Sequence, residues 1–237
     1  MAITILENYE NIMKDLQSII DRTLNPRSEL TILEAGCGSG GRVKCRPDAR
    51  LVGIDISQKQ LDRNTSLHEK ILGDLETYDI SPATYDLIMC WDVLEHLPHP
   101  QQAMQNFFKG VKDGGLVMLA APNVMTLRGF ITKYSPHWFH IFFYRYVYHQ
   151  PNAGTEDQPP FPTYHRFSIA PKAIEQLAAQ NNIRVLFEVK YQIQHVEKHP
   201  LVAIIWNTVN AVANILSFGL IDTDRKSSFI LLLQKGS

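Results

Sequence analysis

Residues 31–41, TILEAGCGSGG, constrain the fold more than any other part of this 237-residue chain. Apolar residues typical of a buried strand run directly into a cluster of glycines, Gly36, Gly38, Gly40 and Gly41. Because glycine has no Cβ, the backbone there can turn sharply and approach a bound ligand closely. A glycine turn between a parallel strand and a helix is how many α/β proteins bind nucleotide-like ligands. The stretch therefore predicts an α/β fold with a ligand site at this turn.

Strand-like and helix-like segments alternate along the rest of the chain. Strands are predicted over residues 30–35, 50–55, 69–72, 85–90, 115–120, 183–189 and 227–234, and helices over 5–24, 99–112 and 170–181. Such alternation predicts a doubly wound, mostly parallel sheet that binds ligands at the carboxyl ends of its strands. We interpret residues 1–29 as an N-terminal helix and residues 30–237 as the main domain.

Charge and cysteine content narrow the classes of function and compartment. The 23 basic and 24 acidic residues give a net charge of −1, so no global basic field would attract a nucleic acid. The three cysteines, Cys37, Cys45 and Cys90, lack a metal-binding spacing, and we interpret Cys37 and Cys90 as packing residues rather than nucleophiles. Their odd number fits a reducing compartment, and the first residues show no signal-peptide pattern. We therefore expect a cytoplasmic protein.

Acidic residues follow the predicted strands where a nucleotide-like ligand would need them. Asp55 ends the second strand about 20 residues after Glu34, the distance expected for a carboxylate that binds ribose hydroxyls. Asp74 follows the third strand, where it could accept a hydrogen bond from an adenine amino group. The spacing of Gly36, Gly38 and Gly41 also fits the GxGxxG pattern of NAD-binding domains. The glycines alone therefore do not identify the cofactor.

The motifs ILEAGCGSG, LVGIDIS, GDLE, YDLIMCWDVLEHL, GGLVMLAAPN and YHRFS resemble, in order and spacing, those of class I S-adenosylmethionine (SAM)-dependent methyltransferases. The resemblance covers residues 30–234 and favours SAM over NAD. It implies a seven-stranded sheet with an antiparallel last strand. It also implies that SAM is bound by Glu34, Gly36, Gly38, Gly40, Asp55, Ile56, Asp74, Leu75, Cys90 and Trp91.

Glu95 and His96, just after the fourth strand, are the candidate catalytic residues. Because SAM carries an activated methyl group, the protein must mainly position the acceptor and exclude water. An oxygen or amine acceptor must also lose a proton, and an imidazole suits that transfer near neutral pH. The alternative is that Glu95 and His96 only cap the turn after the strand.

Asp92, Glu95, His96 and His165 form a candidate metal site. Their pattern resembles the E-x-x-E-H and distant-histidine site of small-RNA 2′-O-methyltransferases and ubiquinone-pathway O-methyltransferases, with Asp92 in place of the first glutamate. Two carboxylates and two imidazoles would suit a divalent ion that lowers the pKa of a substrate hydroxyl. A site without metal is the alternative, since many relatives carry Glu-His at this place with none.

Two insertions interrupt the alternation, at residues 122–166 and 197–221. The first is rich in proline and aromatic residues, which favours a lid or substrate wall over a small packed subdomain. Within the second, residues 201–221 carry no charge. A stripe of polar residues indicates an interfacial or packed helix rather than a membrane span; these residues are Asn207, Asn210, Asn214 and Ser217.

Three functions remain open on this basis. The first is transfer of a methyl group from SAM to a small apolar or aromatic acceptor, most readily at oxygen, because an aromatic wall suits such an acceptor. The second is methylation of RNA or protein ends with a divalent metal, which the acidic balance disfavours because it would require polyanion binding. The third is a non-catalytic SAM-binding or membrane-docking partner protein, and peripheral contact with a membrane is an expected property of the 201–221 helix.

Overall fold

The computed structural model describes residues 2–38, 46–146, 149–155, 158, 160–192, 200–222 and 226–236, with the backbone alone for residues 2–8 and 200–203. These residues form seven strands, β1 Thr31–Ala35, β2 Arg50–Asp55, β3 Glu69–Leu72, β4 Tyr85–Trp91, β5 Val111–Pro122, β6 Ile183–Tyr191 and β7 Ser228–Lys235. The strands make one sheet in the order β3-β2-β1-β4-β5-β7-β6.

The strands from β3 to β5 pair in parallel, whereas β7 pairs antiparallel with both β5 and β6. The predicted doubly wound sheet with an antiparallel last strand is therefore confirmed. One boundary was wrong, because β5 begins at Val111 and not at residue 115. Val111 pairs with Tyr85, and an irregularity between Tyr85 and Leu87 lets the strand continue through two glycines that resemble a break.

The described residues form seven helices, α1 Ala2–Leu24, α2 Gln58–Arg63, α3 Pro100–Gly110, α4 Leu127–Tyr134, α5 His137–Tyr146, α6 Pro171–Gln180 and α7 Pro200–Leu216. The helices predicted over residues 5–24, 99–112 and 170–181 are α1, α3 and α6, and the helix predicted within residues 201–221 is α7. Both α3 and α6 start with a proline, whose fixed φ and missing N–H suit the first turn of a helix. The start of β5 at Val111 ends α3 two residues before its predicted limit.

Helices cover both faces of the sheet, because successive strand residues point to opposite sides. On one face α3 and α6 pack Phe107 and Ile174 against strand residues such as Ile88 and Leu231. On the other face α1 buries its apolar stripe against the strands; this stripe is Ile12, Leu16, Ile20 and Leu24. The N-terminal helix is thus part of the layered core, and burial of its stripe fixes its position.

Candidate functional site

The carboxyl ends of β1, β2 and β4 meet where the order of the strands reverses. Ala35, near the end of β1, pairs with Ile54 on one side and with Cys90 on the other. Ligands of open α/β sheets bind outside the carboxyl ends of the strands at such a switch point. This topology places the glycine turn, Asp55 and the segment after β4 at one edge of the sheet.

The two described glycines of the turn differ in how closely other atoms approach them. Both have positive φ, +69° at Gly36 and +48° at Gly38. A Cβ on Gly36 would lie 2.4 Å from a methyl carbon of Val93, which is too close for any side chain. A Cβ on Gly38 would have no atom of the described residues within 4 Å, so none of these residues fills the space beside this glycine. The third predicted glycine, Gly40, lies outside the described residues.

Asp55 orders the backbone on both sides of this space. Its Oδ2 accepts from the N–H of Gly38 at 2.9 Å, and its Oδ1 accepts from the N–H of Ser57 at 2.8 Å. Ser57 in turn caps α2 by accepting from Gln60 N. Since each carboxylate oxygen has two lone pairs, Asp55 can still accept from ribose hydroxyls. Next to it, Ile56 is 75% exposed and offers an apolar surface for an adenine ring.

Other predicted cofactor residues contribute through backbone or turn geometry. Asp74 accepts from the N–H of Glu76 at 2.9 Å and so holds the turn after β3. The side chains of Leu75 and Cys90 lie in the core, so only their backbones can face a ligand. Trp91 is half-buried at the end of β4. These placements are compatible with the predicted SAM contacts, which stay predictions.

Glu34 is the acidic residue that precedes the glycine turn in β1. Burial raises the pKa of its carboxyl to about 7. A cation near this carboxyl would favour its ionised form, and SAM carries an ammonium and a sulfonium group. Glu34 therefore fits a site for the methionine end of the cofactor.

The buried cysteines behave as packing residues, as predicted. Cys37 and Cys90 are both free and buried. Burial, and then the charges of Asp55 and Glu34, raises the pKa of the Cys37 thiol to about 12. Burial likewise raises the pKa of Cys90. Both thiols are therefore protonated near neutral pH. Cys45 lies outside the described residues.

His96 is fixed in the tautomer that a general base needs. It ends a 3₁₀ turn, Leu94–His96, directly after β4. Its Nδ1 lies 2.7 Å from the carbonyl oxygen of Pro162. Because a carbonyl oxygen only accepts, Nδ1 carries the proton, and the neutral ring keeps a free lone pair on Nε2. Nε2 lies 4.0 Å from Oε1 of Glu95, whose carboxylate would stabilise an imidazolium.

The end of the aromatic insertion is anchored beside this pair. The N–H groups of Tyr164 and His165 both donate to the carbonyl oxygen of Glu95, at 2.8 and 3.3 Å. Arg166 Nε donates to the carbonyl of Pro98, and Lys133 Nζ donates to that of His165. The insertion thus borders the segment that carries His96. Its closure over the site as a lid stays a prediction.

The predicted metal site is not assembled. Among the residues that the structure describes, no group of three or more His, Cys, Asp or Glu side chains is placed to hold a metal ion. The backbone brings His165 next to Glu95, yet the side chains of Asp92, Glu95, His96 and His165 do not converge on one point. These donors do not fit a divalent ion, and we route no chemistry through one.

His165 is a buried histidine at the edge of the site. It is 4% exposed, and its Nδ1 has no hydrogen-bond partner among the described residues. Burial, followed by the charges of His96, His140 and Lys133, lowers its pKa to about 4. The native state therefore holds this imidazole neutral, whereas an unfolded chain would protonate it near pH 6.5.

We expect His165 to lower the stability of the protein as the pH falls from 6.5 towards 4, because the unfolded state then binds a proton at His165 that the native state refuses. This contribution should be about 2 kcal/mol of unfolding free energy at pH 5, and it opposes that of Glu34, whose raised pKa stabilises the native state as the pH falls below 7. His165→Asn should remove the contribution of His165, since asparagine does not titrate and tolerates the positive φ of +43° found here. The variant should therefore gain stability relative to the wild type as the pH falls, and denaturant unfolding of both from pH 8 to pH 4.5 measures this difference.

His149→Asn is the matched control, because His149 also has a positive φ, of +54°, but is exposed. It should keep the acid sensitivity of the wild type. An equal change in the pH dependence of the unfolding free energy in both variants would refute the assignment to His165.

Several contacts of the site are absent from the sequence prediction. Val93 packs on Gly36, Pro162 supplies the carbonyl that orients His96, and the buried Asn64 approaches the carbonyl of Gly38 with its Nδ2 at 3.4 Å. The sequence carries no local signal for the Pro162 carbonyl, which lies 66 residues from His96. The asparagine at the end of α2 could have been noticed as a helix terminator.

Across the described residues, α7 included, we find no helix with the length and hydropathy required to cross a membrane.

Comparison with known proteins agrees with the methyltransferase resemblance of the sequence motifs. The model of a family described as a methyltransferase domain matches residues 8–188. A ubiquinone biosynthesis O-methyltransferase from Coxiella burnetii (strain RSA 493 / Nine Mile phase I) is 25% identical over 179 residues, which is 72% of this chain and 68% of that protein.

Solved structures show a similar fold at low sequence identity. The N-methyltransferase NodS from Bradyrhizobium japonicum WM9, in complex with S-adenosyl-L-homocysteine, superposes with a TM-score of 0.53 at 14% identity and covers 94% of this chain and 87% of its own. The [4+2]-cyclase SpnF superposes with a TM-score of 0.53 at 13% identity and covers 94% of this chain and 80% of its own. With the glycine turn, Asp55 and the sheet order in place, the chain belongs to the methyltransferase-domain family and is a SAM-dependent methyltransferase.

Proposed function

We propose that this methyltransferase transfers the methyl group of SAM to a hydroxyl group of a small apolar or aromatic molecule. The observation that carries the proposal is the orientation of His96. Its Nδ1–H donates to the carbonyl of Pro162, so its Nε2 is free to accept the proton that a hydroxyl loses on methylation. The name of the relative from Coxiella burnetii, a ubiquinone biosynthesis O-methyltransferase, agrees with oxygen as the acceptor atom.

The residues at the carboxyl edge of the sheet would hold the cofactor. Asp55 would accept from the ribose hydroxyls, Gly38 would leave room for the ligand, and Ile56 would pack on the adenine. Glu34 would face the methionine end. When bound, SAM supplies an activated methyl group for in-line displacement.

His96 and Glu95 would then act on the acceptor. His96 Nε2 would remove the hydroxyl proton, and the Glu95 carboxylate 4.0 Å away would stabilise the imidazolium that forms. The rest of the rate acceleration would come from holding the hydroxyl oxygen near the methyl carbon of SAM, because two reactants bound in the right geometry react in an effectively unimolecular step.

The acceptor side of this arrangement is aromatic. Phe161 meets the ring of His96 edge-on with 6.1 Å between centroids, and Phe161 and Tyr164 are 39% and 46% exposed. Exposed rings next to the base favour a flat or apolar acceptor. The net charge of −1 gives no support for a nucleic acid substrate.

The test is to incubate the purified chain with methyl-labelled SAM and a panel of phenols, catechols, aliphatic alcohols, amines and a short RNA, and to identify products by mass spectrometry. We expect O-methylated phenols or catechols, and Asp55→Ala should give none under the same conditions. Label found only in amines or RNA would contradict the proposal, as would equal product from the Asp55→Ala control.

A further inference from the structure

Helix α7 is turned with three of the four residues of its polar stripe inwards and most of its described apolar residues outwards, whereas the fourth, Asn207, is exposed. Asn210 is 4% exposed, and Asn214 and Ser217 are half-buried. The apolar residues Ile204, Ile205, Val209, Val212, Ile215 and Leu216, followed by Phe218 and Leu220, are between 45% and 97% exposed. We call these eight residues the α7 face. At 100° per residue those within the helix lie on one side of it, opposite Asn210 and Asn214.

The inward polar groups close the turn that ends this helix. Asn214 Nδ2 donates to the carbonyl of Ile221 at 2.6 Å, and Ser217 Oγ accepts from the N–H of Ile221 at 2.9 Å. Beyond this turn, Asp222 N donates to the carbonyl of Met125, and Arg128 of α4 lies over the ring of Trp206 at 5.5 Å. These last two contacts connect α7 and its turn to α4 and the segment before it. The apolar residues of α7 are left on its outer side.

The charged residues of α4, which contacts α7 through Arg128, and of the following α5 are all basic. Residues 200–221 carry no charge, and residues 126–146, which include α4 and α5, hold Arg128, Lys133 and Arg145 with no acidic residue. Asp222, at the end of the insertion, is neutralised by Lys190 at 3.1 Å and Lys226 at 3.2 Å. The described residues that adjoin α7 in sequence and through this contact therefore carry a net positive charge.

The positive sign of this charge distinguishes between two possible partners of the α7 face, a second copy of the chain and a lipid bilayer. A second copy docking through the same face would bring two basic, non-acidic borders together, since symmetric dimers pair identical surfaces. An anionic bilayer surface instead attracts basic residues and accepts apolar side chains below its headgroups. Tryptophan and tyrosine prefer the same interfacial zone, and Trp138, Tyr134 and Tyr146 on α4 and α5 are each about two-thirds exposed or more.

We propose that the α7 face docks this protein on the surface of an anionic lipid bilayer, with α7 lying in the plane of the interface. The helix does not span the bilayer, which agrees with its length and hydropathy. The proposal is independent of the acceptor that the enzyme methylates.

Vesicle flotation with the full chain tests this. We expect the protein to float with vesicles of phosphatidylcholine mixed with phosphatidylglycerol, to bind phosphatidylcholine alone more weakly, and to dissociate progressively as salt is raised. The double variant Leu216→Glu/Phe218→Glu should lower the binding constant by about tenfold or more. Its fold should survive, because the two side chains are 74% and 97% exposed, and unchanged thermal melting and SAM binding would show this.

The matched control is Gln101→Glu/Gln105→Glu, which adds the same two charges to exposed positions of α3. It should float like the wild type. Three outcomes would overturn the proposal: no flotation of the wild type with anionic vesicles, unchanged flotation of the α7 variant, or an equal loss in the α3 control. A concentration-dependent dimer in sedimentation that the α7 variant dissolves, without vesicle binding by the wild type, would overturn it in favour of a second copy.

Discussion

Asp55→Ala is expected to lower the affinity for SAM by one to three orders of magnitude. The carboxylate holds the N–H of Gly38 and the N–H of Ser57, and it has lone pairs left for the ribose hydroxyls. Hydrogen bonds to a charged group contribute about 1.5–3 kcal/mol each, and each 1.4 kcal/mol is a factor of ten in Kd. Alanine removes the ribose contacts and also loosens the glycine turn. Titration calorimetry measures the change.

Asp62→Ala on α2 is the control for this variant. Asp62 is exposed, and its carboxylate accepts a hydrogen bond from Gln58 Nε2 within the same helix. Removal of this side chain should therefore leave the affinity for SAM unchanged. Wild-type affinity in Asp55→Ala would refute the role given to Asp55. Binding of NAD in place of SAM by the wild type would refute the cofactor itself.

His96→Ala is expected to lower kcat by about 10²–10⁴-fold, the range in which general-base assistance contributes. SAM affinity should stay near that of the wild type, because the proposed cofactor contacts are made by Gly38, Asp55 and Ile56 and not by His96. Initial rates with an identified acceptor give kcat, and titration calorimetry gives the affinity for SAM.

His99→Ala separates the base from a general effect of losing a nearby histidine. His99 is exposed and lies three residues further along the same segment, so turnover should remain. If His96→Ala kept full activity, Glu95 and His96 would only shape the turn after β4. A chelator should leave wild-type turnover unchanged, because the predicted metal ligands do not converge.

Much of the fold could be predicted from local sequence patterns. The strands read correctly because each is a short apolar run closed by glycine or polar residues, and the glycine turn with Asp55 located the cofactor edge. The start of β5 was missed because Gly114 and Gly115 resemble a break, whereas pairing of Val111 with Tyr85 extends the strand through them. Pairing between distant segments decided that boundary.

The candidate site was predictable in position and less so in chemistry. The motif after β4 indicated His96, but the proton on its Nδ1 follows from Pro162, which reaches it through tertiary structure. The described side chains do not form the metal site suggested by the sequence, for a related reason. The D-x-x-E-H spacing fixes distances along the chain, whereas the direction of each side chain depends on the 3₁₀ turn that follows the strand.

The pairing of β6 with β7 makes the segment that contains α7 separable from the sheet. Tyr191, the last residue of β6, pairs directly with Ser228, the first residue of β7. The chain therefore leaves the sheet and returns at neighbouring points, as it would in a simple hairpin. A short turn in place of residues 192–227 could reconnect the two strands in register. If α7 docks on a bilayer as proposed, insertion or loss of this segment would change the contact with the membrane while β1, β2 and β4, which carry the candidate site in the middle of the strand order, keep their pairing.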